Sequence, residues 1–305
     1  MEIYGKRALR IDQLNAGIQK GMNKIEIQLL DELFDENQHC LKAKKVFDLD
    51  EMAKYDIRVV HAPLIKGEDI NIEHMIFGEY SKLLNEICYL ANYIAEKRNR
   101  DVIVVVHTAK SIQELRRLGD NWNQLVVTVG LMLSKYPRIE FAIENVIPFT
   151  YTPENRIVMK NNFNCDNVAM AKALNELLDT DRVGTVLDTC HIQITQKYIK
   201  AIFDALNDNI NMPMEDLSFE HYFIENAAIC KLIHLATMTD NGLSPGTHGT
   251  PYRAYNKEEM DRLAHIISLY KKYRYACPIT LEVLETDFLN PQNYLKAKES
   301  LLSLI

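Results

Sequence analysis

The sequence predicts an α/β protein built as a single (β/α)8 TIM barrel domain that spans residues 1–305. Two observations lead to this fold class: short apolar runs alternate with amphipathic stretches along the whole chain, and polar residues end most of these runs. Such alternation is typical of parallel βαβ units, and eight units in about 250 to 300 residues suit one closed barrel. A doubly wound sheet is the alternative. No linker rich in proline, glycine or serine divides the chain, so we expect one domain.

Eight apolar runs rich in β-branched residues are the predicted strands. Buried parallel strands are typically short, continuous apolar segments of this kind. Because the strands of such a barrel are parallel, their carboxyl ends all meet at one mouth. In chain order the predicted strands are 3–8, 24–30, 57–61, 102–107, 139–144, 183–188, 230–235 and 279–283.

Amphipathic stretches between the strands are the predicted helices. Gly21 is a suitable residue to end the first of them, and Pro137 follows the end of the one that begins at Ser111. The connection after the sixth strand is long enough for an additional helix. The predicted helices are 11–21, 72–97, 111–135, 166–178, 195–206, 217–228, 256–272 and 291–304.

Composition excludes several classes of protein. A hydrophobic content of 47% is enough for a sizeable core. No stretch approaches the roughly 18 apolar residues of a membrane helix, and Met1–Arg10 has no apolar signal core, so we expect a cytoplasmic protein with no membrane partner. The six cysteines contain no C-x-x-C pair, which argues against a disulfide framework and a thiolate zinc site. A net charge of −7 gives no general attraction to nucleic acid.

The stretch Val183–His191 is the centre of the functional prediction. It begins as an apolar strand and ends in Asp188 and His191, at the strand end where barrels bind ligands. Both residues are good metal ligands. Asp188 is equally suited to cap a following helix with His191 in its first turn, and this stretch alone does not separate the two interpretations.

Strand parity predicts which polar residues point into the barrel. Alternate residues of a barrel strand face the interior and the surrounding helices. Phe141 and Ile143 are large apolar residues that belong against helices, so Glu144 points inward. The residues that face inward by the same alternation at later strand ends are Asp188, His234 and Glu282.

Six consecutive predicted strands end in a histidine or a carboxylate, and His191 lies just past the fourth of these six. Imidazoles and carboxylates together suit zinc, manganese, iron or cobalt rather than calcium. Several uncompensated carboxylates in one cavity would be costly, so a cation is the expected partner. The alternative is that caps and ion pairs satisfy each group separately. The six residues are His61, His107, Glu144, Asp188, His234 and Glu282.

Five motifs give the chain a resemblance to the xylose isomerase-like barrels, which include endonuclease IV and the sugar-phosphate isomerases and epimerases. The resemblance extends over nearly the whole chain through the strand order. Asp-Thr-x-His after a strand is fairly specific, whereas a lone His-Ala-Pro is weak. The motifs are Val59 to Pro63 (Val-Val-His-Ala-Pro), Glu144-Asn145, Asp188 to His191 (Asp-Thr-Cys-His), His234-Leu235, and Pro278 to Glu282 (Pro-Ile-Thr-Leu-Glu).

The resemblance implies a metal site and a pair of proton-transfer residues. Glu144, Asp188, His234 and Glu282 match the four ligands of a metal that both branches share. In the epimerase branch, the positions of Glu144 and Glu282 also move protons on the substrate carbon. His191 matches a catalytic-site residue that helps to bind substrate oxygens.

The endonuclease IV branch implies further metals. His61 and His107 match ligands of a second metal that is bridged by Glu144. His191 and, approximately, His248 match ligands of a third. The expected cofactor is therefore a divalent metal (zinc, manganese or cobalt) in one site, with two or three sites left open.

Three departures make DNA a less favoured partner than a small molecule. Gly246 stands where endonuclease IV has an Asp ligand, and 64–66 has no clear match to its DNA-wedging Tyr-Leu pair. The segment 31–36 is acidic, and it would repel the phosphates that dominate DNA affinity. Intercalating side chains open a duplex for such enzymes. The chemistry could be shared while the DNA-handling parts are absent.

Three functions remain in order of preference. The first is a metal-dependent isomerase or epimerase of a small sugar or sugar phosphate, the second a multi-metal phosphoesterase, and the third a non-enzymatic binding barrel. Lys110 and Arg253 are candidates to hold a substrate phosphate, against the alternative of solvated loop cations. Tyr252 is a candidate substrate contact. The sequence predicts no particular oligomeric state.

Overall fold

A closed parallel barrel is the centre of the structure, a computed structural model that describes residues 1–35, 39–41, 48–65, 68–151, 157–159, 164–205, 218–239 and 247–305. The prediction of a (β/α)8 barrel is confirmed, because eight parallel strands close on themselves with helices between them. The barrel strands are β1 Ile3–Ala8, β2 Ile25–Leu30, β3 Ile57–Ile65, β4 Val102–His107, β5 Ile139–Glu144, β6 Val183–Asp188, β7 Cys230–Leu235 and β8 Ile279–Leu281.

The pairing order shows how the barrel closes. Each strand from β2 to β7 lies beside the next strand along the chain, and β1 pairs with both β2 and β8. The pairing of β2 with β3 includes Ile27 opposite Val60 and Gln28 opposite His61. Closure pairs every barrel strand on both sides, and it brings all eight carboxyl ends to one mouth.

The interior and exterior of the barrel follow the predicted alternation. Phe141 and Ile143 belong to the large core between strands and helices. Six residues from six strands form a separate cluster inside the barrel, which confirms the inward face of β5, β6 and β7. This inner cluster is Tyr4, Val59, Val105, Ala142, Val186 and Leu232.

Helices surround the barrel in the described residues. Short two-stranded elements lie at 34–35 with 40–41 and at 149–151 with 157–159, and a short strand at 68–69 pairs with the end of β3. No helix in this part of the chain is both long and apolar enough to cross a membrane. The helices are α1 Ile11–Gln19, α2 Leu49–Met52, α3 Ile72–Phe77, α4 Leu83–Arg98, α5 Ile112–Arg117, α6 Asn121–Lys135, α7 Asn164–Leu178, α8 Thr189–Ala205, α9 Phe219–Asn226, α10 Lys257–Lys272 and α11 Gln292–Leu302.

Three helix predictions need correction. The predicted helices 72–97 and 111–135 are each divided into two, α3 with α4 and α5 with α6. A capping box between Ser111 and Glu114 starts α5, and Gly119, with φ of 84°, stops it in a left-handed conformation that favours glycine. The helix predicted at 195–206 begins earlier, at Thr189, because Asp188 caps it.

Candidate metal centre at the barrel mouth

The carboxyl ends of the strands surround a cavity of about 380 Å³. Asp188 and His234 are buried beside it, with 1% and 0% of their surface exposed. The structure therefore brings together all eight predicted metal ligands, although they come from five strands and from three positions that follow strands. The predicted ligands that line the cavity are His61, His107, Glu144, His191, His248 and Glu282.

The first ligand group is the one that the resemblance assigns to a shared metal. Glu144, Asp188, His234 and Glu282 offer ligand atoms that all lie within 4.8 Å of one another. The Nδ1 atom of His234 is 2.5 Å from Glu282 Oε2, 3.4 Å from Glu144 Oε2 and 3.9 Å from Asp188 Oδ2. This imidazole nitrogen thus faces three carboxylates, and the four residues could hold one cation.

The second group shares Glu144 with the first. His61 Nε2 and His107 Nε2 lie 2.9 Å and 3.2 Å from Glu144 Oε2, and the three ligand atoms also fall within 4.8 Å. His61 Nδ1 is 3.0 Å from the carbonyl oxygen of Ala62, which can only accept a hydrogen bond. In a neutral His61, Nδ1 therefore carries the hydrogen and Nε2 directs a lone pair at Glu144. The lone pair on His61 Nε2 then faces a lone pair on Glu144 Oε2. A proton or a metal ion between the two atoms must compensate this repulsion.

His191 and His248 lie side by side in the lining of the cavity, next to these two ligand groups. Their rings stack with centroids 5.0 Å apart and an interplanar angle of 14°. His191 Nδ1 lies 2.7 Å from the carbonyl oxygen of Asn145 and 3.5 Å from Glu144 Oε1. Since the carbonyl only accepts, Nδ1 donates, and Nε2 of His191 remains an acceptor.

Buried atoms without hydrogen bonds test whether these residues fit a cation. Among the eight predicted ligands, three such atoms occur: His234 Nδ1, His248 Nε2 and Glu282 Oε2. Buried polar atoms normally have partners, and these three are nitrogen and oxygen atoms of the types that bind zinc, manganese or cobalt. The residues therefore fit a divalent cation.

Without a bound cation, the carboxylates of the centre repel one another. Burial raises the pKa of Asp188 to about 7, and the neighbouring charges of Glu282 and Glu144 add to the effect. Burial would also raise the pKa of Glu144, but the charges of His234 and His107 hold it well below its usual value. Two carboxylates of one cluster thus have pKa values shifted in opposite directions, and a bound cation would relieve the repulsion at Asp188.

Asp188→Asn is expected to stabilise the metal-free protein near neutral pH. The folded pKa of Asp188, about 7, lies above its ordinary value of 3.8, so ionisation of Asp188 lowers the stability of the fold as pH rises between these values. Asparagine keeps a capping oxygen and does not ionise. Urea unfolding in chelator should show that the stability gained by the variant grows from about pH 4 to pH 7 and then levels off. A gain that does not change with pH would contradict this.

The position of Asp188 is compatible with both of the roles that its sequence context left open. Its Oδ1 atom accepts a hydrogen bond from the backbone N–H of His191 at 2.6 Å, which caps the N-terminus of α8. Its Oδ2 atom faces His234. The cap interpretation and the ligand interpretation are therefore compatible, because each uses a different oxygen.

Lys6 and Glu26 are two residues of the centre that sequence reasoning missed. Lys6 Nζ lies 2.6 Å from Glu282 Oε1 and 3.3 Å from Glu26 Oε1, and Glu26 Oε2 lies 3.0 Å from His234 Nε2. Both stand at inward positions of β1 and β2. The period of two would have identified Lys6, because Tyr4 points into the barrel and Lys6 is two residues later on the same strand.

The three predicted substrate residues do not line the cavity. Tyr252 is 2% exposed, and its hydroxyl accepts a hydrogen bond from Gln193. Arg253 is paired with Glu259. The backbone N–H of Lys110 donates to Glu73, 3.1 Å away. None of the three lines the cavity, so their substrate roles stay predictions from the sequence.

All three of the sequence departures involve residues outside the described part of the chain. They are Gly246, at the position of the missing Asp ligand, Lys66, in the segment without a wedging pair, and Glu36, the last residue of the acidic segment.

The comparisons with known proteins establish the fold class. The sequence matches no protein-family model and no curated protein. Solved structures match over nearly the whole chain, and they show that the chain has the fold of the xylose isomerase-like TIM barrel proteins.

Three solved structures illustrate this likeness. A xylose isomerase domain-containing protein from Salmonella typhimurium has a TM-score of 0.59 and 10% identity, with 99% of this chain and 97% of that chain covered. The 3-keto-D-glucoside 4-epimerase from E. coli has a TM-score of 0.55 and 12% identity, with 100% and 98% covered. An AP endonuclease of family 2 from Brucella melitensis has a TM-score of 0.54 and 12% identity, with 98% and 96% covered.

Proposed function

We propose that the protein is a divalent-metal-dependent isomerase or epimerase of a small sugar or sugar phosphate. The observation that carries this proposal is the position of Glu144 and Glu282, which both line the cavity and both face the Nδ1 atom of His234. Two carboxylates beside one ligand nitrogen suit proton transfer to and from a substrate that a cation holds between them. The epimerase among the structural neighbours supports the same class of reaction.

Each residue of the centre has a defined part in this proposal. A bound zinc, manganese or cobalt ion would polarise the substrate carbonyl. A carboxylate oxygen of one glutamate accepts the proton from the adjacent carbon. The other glutamate, after taking up a proton from solvent, donates it to carbon and is left ionised. His191 uses its Nε2 atom to accept a hydrogen bond from a substrate hydroxyl, because its Nδ1 hydrogen is held by Asn145. The cavity of about 380 Å³ suits a small molecule.

A second candidate function is the hydrolysis of a phosphoester by several metals. The observation in its favour is the group formed by His61, His107 and Glu144, which could hold a further cation next to the first. Paired metals activate water and stabilise the leaving oxygen in such reactions. The AP endonuclease among the neighbours supports this class, whereas the net charge of −7 favours a small phosphoester over DNA.

Metal content and isotope exchange separate the two candidates. Elemental analysis of the purified protein is expected to show about one tightly held divalent metal per chain, since among the described residues only one candidate group offers four ligand atoms. The protein is then incubated in D₂O with a panel of sugars and sugar phosphates. Its substrate is expected to gain deuterium at one carbon, because the reaction transfers a proton to carbon. Mass spectrometry of the recovered sugars measures this exchange.

Two other results would change the conclusion. Two or three metals per chain with release of phosphate from esters, and no deuterium in any sugar, would replace the first candidate by the second. No binding of Mn²⁺, Co²⁺ or Zn²⁺ would exclude both enzymes and leave a binding barrel.

A further inference from the structure

Glu26 and Lys6 lie directly behind the first ligand group. Glu26 is 0% exposed on β2, on the side of His234 opposite to the other three ligands. Its Oε2 atom is 3.0 Å from His234 Nε2, and its Oε1 atom is 3.3 Å from Lys6 Nζ. A carboxylate this deeply buried needs a charged or hydrogen-bonding partner. Oε2 has the imidazole of His234 within hydrogen-bond distance, and Oε1 has an ion pair with Lys6 but no hydrogen bond.

The two nitrogens of His234 have different surroundings. Nδ1 faces Glu144, Asp188 and Glu282 and has no hydrogen bond, whereas Nε2 faces only Glu26 among the ion-pair partners of this ring. An ionised carboxylate can only accept, so Nε2 must carry a hydrogen toward Glu26. The lone pair of a neutral His234 is then on Nδ1, where the other ligands meet.

We propose that Glu26 is a positioning residue that fixes His234 in the tautomer whose Nδ1 atom binds the metal. A carboxylate behind a ligating histidine sets the ring orientation and increases the electron density at the ligating nitrogen. This inference rests on the metal site of the proposed function and applies to either candidate reaction, because both use the same first ligand group.

Lys6 connects Glu26 to the ligand Glu282. Its ammonium group lies between the two carboxylates, 3.3 Å from Glu26 Oε1 and 2.6 Å from Glu282 Oε1. Each carboxylate therefore directs its Oε2 atom toward His234, Glu26 to Nε2 and Glu282 to Nδ1. One cation thus orients the carboxylates on both sides of the same imidazole ring.

Glu26 could instead be a metal ligand itself, since Glu26, His61 and His234 also offer atoms within 4.8 Å of one another. That arrangement would require Nε2 of His234 to lose its hydrogen and bind the ion. A positioning role and a ligand role predict different metal contents when Glu26 is replaced, so the two can be separated.

Glu26→Gln tests the proposal with minimal change in shape. The amide oxygen can still face His234 Nε2, but the NH₂ group then faces the ammonium of Lys6. The variant should bind the same number of metal ions per chain as the natural protein, with an affinity for Zn²⁺ about 10- to 100-fold lower. Competition with a chromophoric chelator measures the affinity, and elemental analysis measures the stoichiometry.

Glu259→Gln is the matched control. Glu259 is another buried carboxylate paired with a cation, Arg253, but it belongs to α10 and does not line the cavity. Its replacement should leave Zn²⁺ affinity unchanged. A further readout is the ¹⁵N NMR spectrum of the zinc-loaded natural protein, in which His234 should be protonated on Nε2, with slow exchange of that hydrogen. Exchange should accelerate in Glu26→Gln, and circular dichroism checks that each variant is folded.

The outcomes separate this inference from the proposed function. Unchanged Zn²⁺ affinity in folded Glu26→Gln, protonation of His234 on Nδ1, or loss of a whole metal equivalent would each overturn the positioning role. Failure of the natural protein to bind any of the three metals would overturn the metal site itself, and the proposed function with it.

Discussion

Glu144→Gln is expected to lower turnover by about 10²- to 10⁴-fold on the substrate identified by isotope exchange, which is the usual contribution of a positioned acid or base. Glutamine has nearly the same shape but can neither accept the proton from carbon nor carry the charge that faces His61, His107 and His234. The metal content of the variant should also fall, because Glu144 belongs to both ligand groups. Steady-state kinetics and elemental analysis of the same preparation measure the two effects.

Glu140→Gln is the control for this prediction. Glu140 lies on the same strand with the same parity as Glu144, but at the opposite end of β5, where it pairs with Lys231 at 2.9 Å. Its replacement should preserve both metal content and turnover. If Glu144→Gln retained the full turnover of the natural protein, Glu144 would have no part in the reaction.

Phe141→Ala is expected to lower the free energy of unfolding by about 3 to 5 kcal/mol. Phe141 is 1% exposed and packs in the core between the barrel and its helices. Removing the ring leaves a cavity that the parallel strands cannot close without breaking their register with β4 and β6. Urea unfolding followed by circular dichroism measures the loss.

Val127→Ala supplies the reference for Phe141→Ala. Val127 lies on α6 with 58% of its surface exposed, so its truncation should change stability by about 0.5 kcal/mol or less. A similarly small effect for Phe141→Ala would mean that Phe141 does not belong to the core, and that the inward direction of Glu144 must be reconsidered.

The barrel and most of its mouth could be predicted because their pattern is local. A β-branched run such as Val102–Val106 specifies a buried strand, and the period of two then assigns each residue to a face. This reasoning assigns Glu144, Asp188, His234 and Glu282 to one centre, and in the structure their ligand atoms lie within 4.8 Å of one another.

The missed features depend on contacts between distant parts of the chain. Lys6 and Glu282 are 276 positions apart, and nothing near either residue in the sequence indicates that they meet. The position of Tyr252 depends on a distant contact in the same way, because its hydroxyl accepts a hydrogen bond from Gln193 of α8, 59 positions earlier in the chain. The breaks within two long helices were missed because apolar periodicity continued through Gly119 and the turn after Phe77.

The position of Glu144 between two groups of histidines has a thermodynamic consequence. Its Oε2 atom contacts His61 and His107 on one side and faces His234 on the other. A change in affinity that one bound ion causes for another must be equal in both directions. Because both groups use Glu144, an ion held by one group would change the affinity of the other group for its own ion. The concentration of one metal in the cell would then influence how strongly the protein retains another.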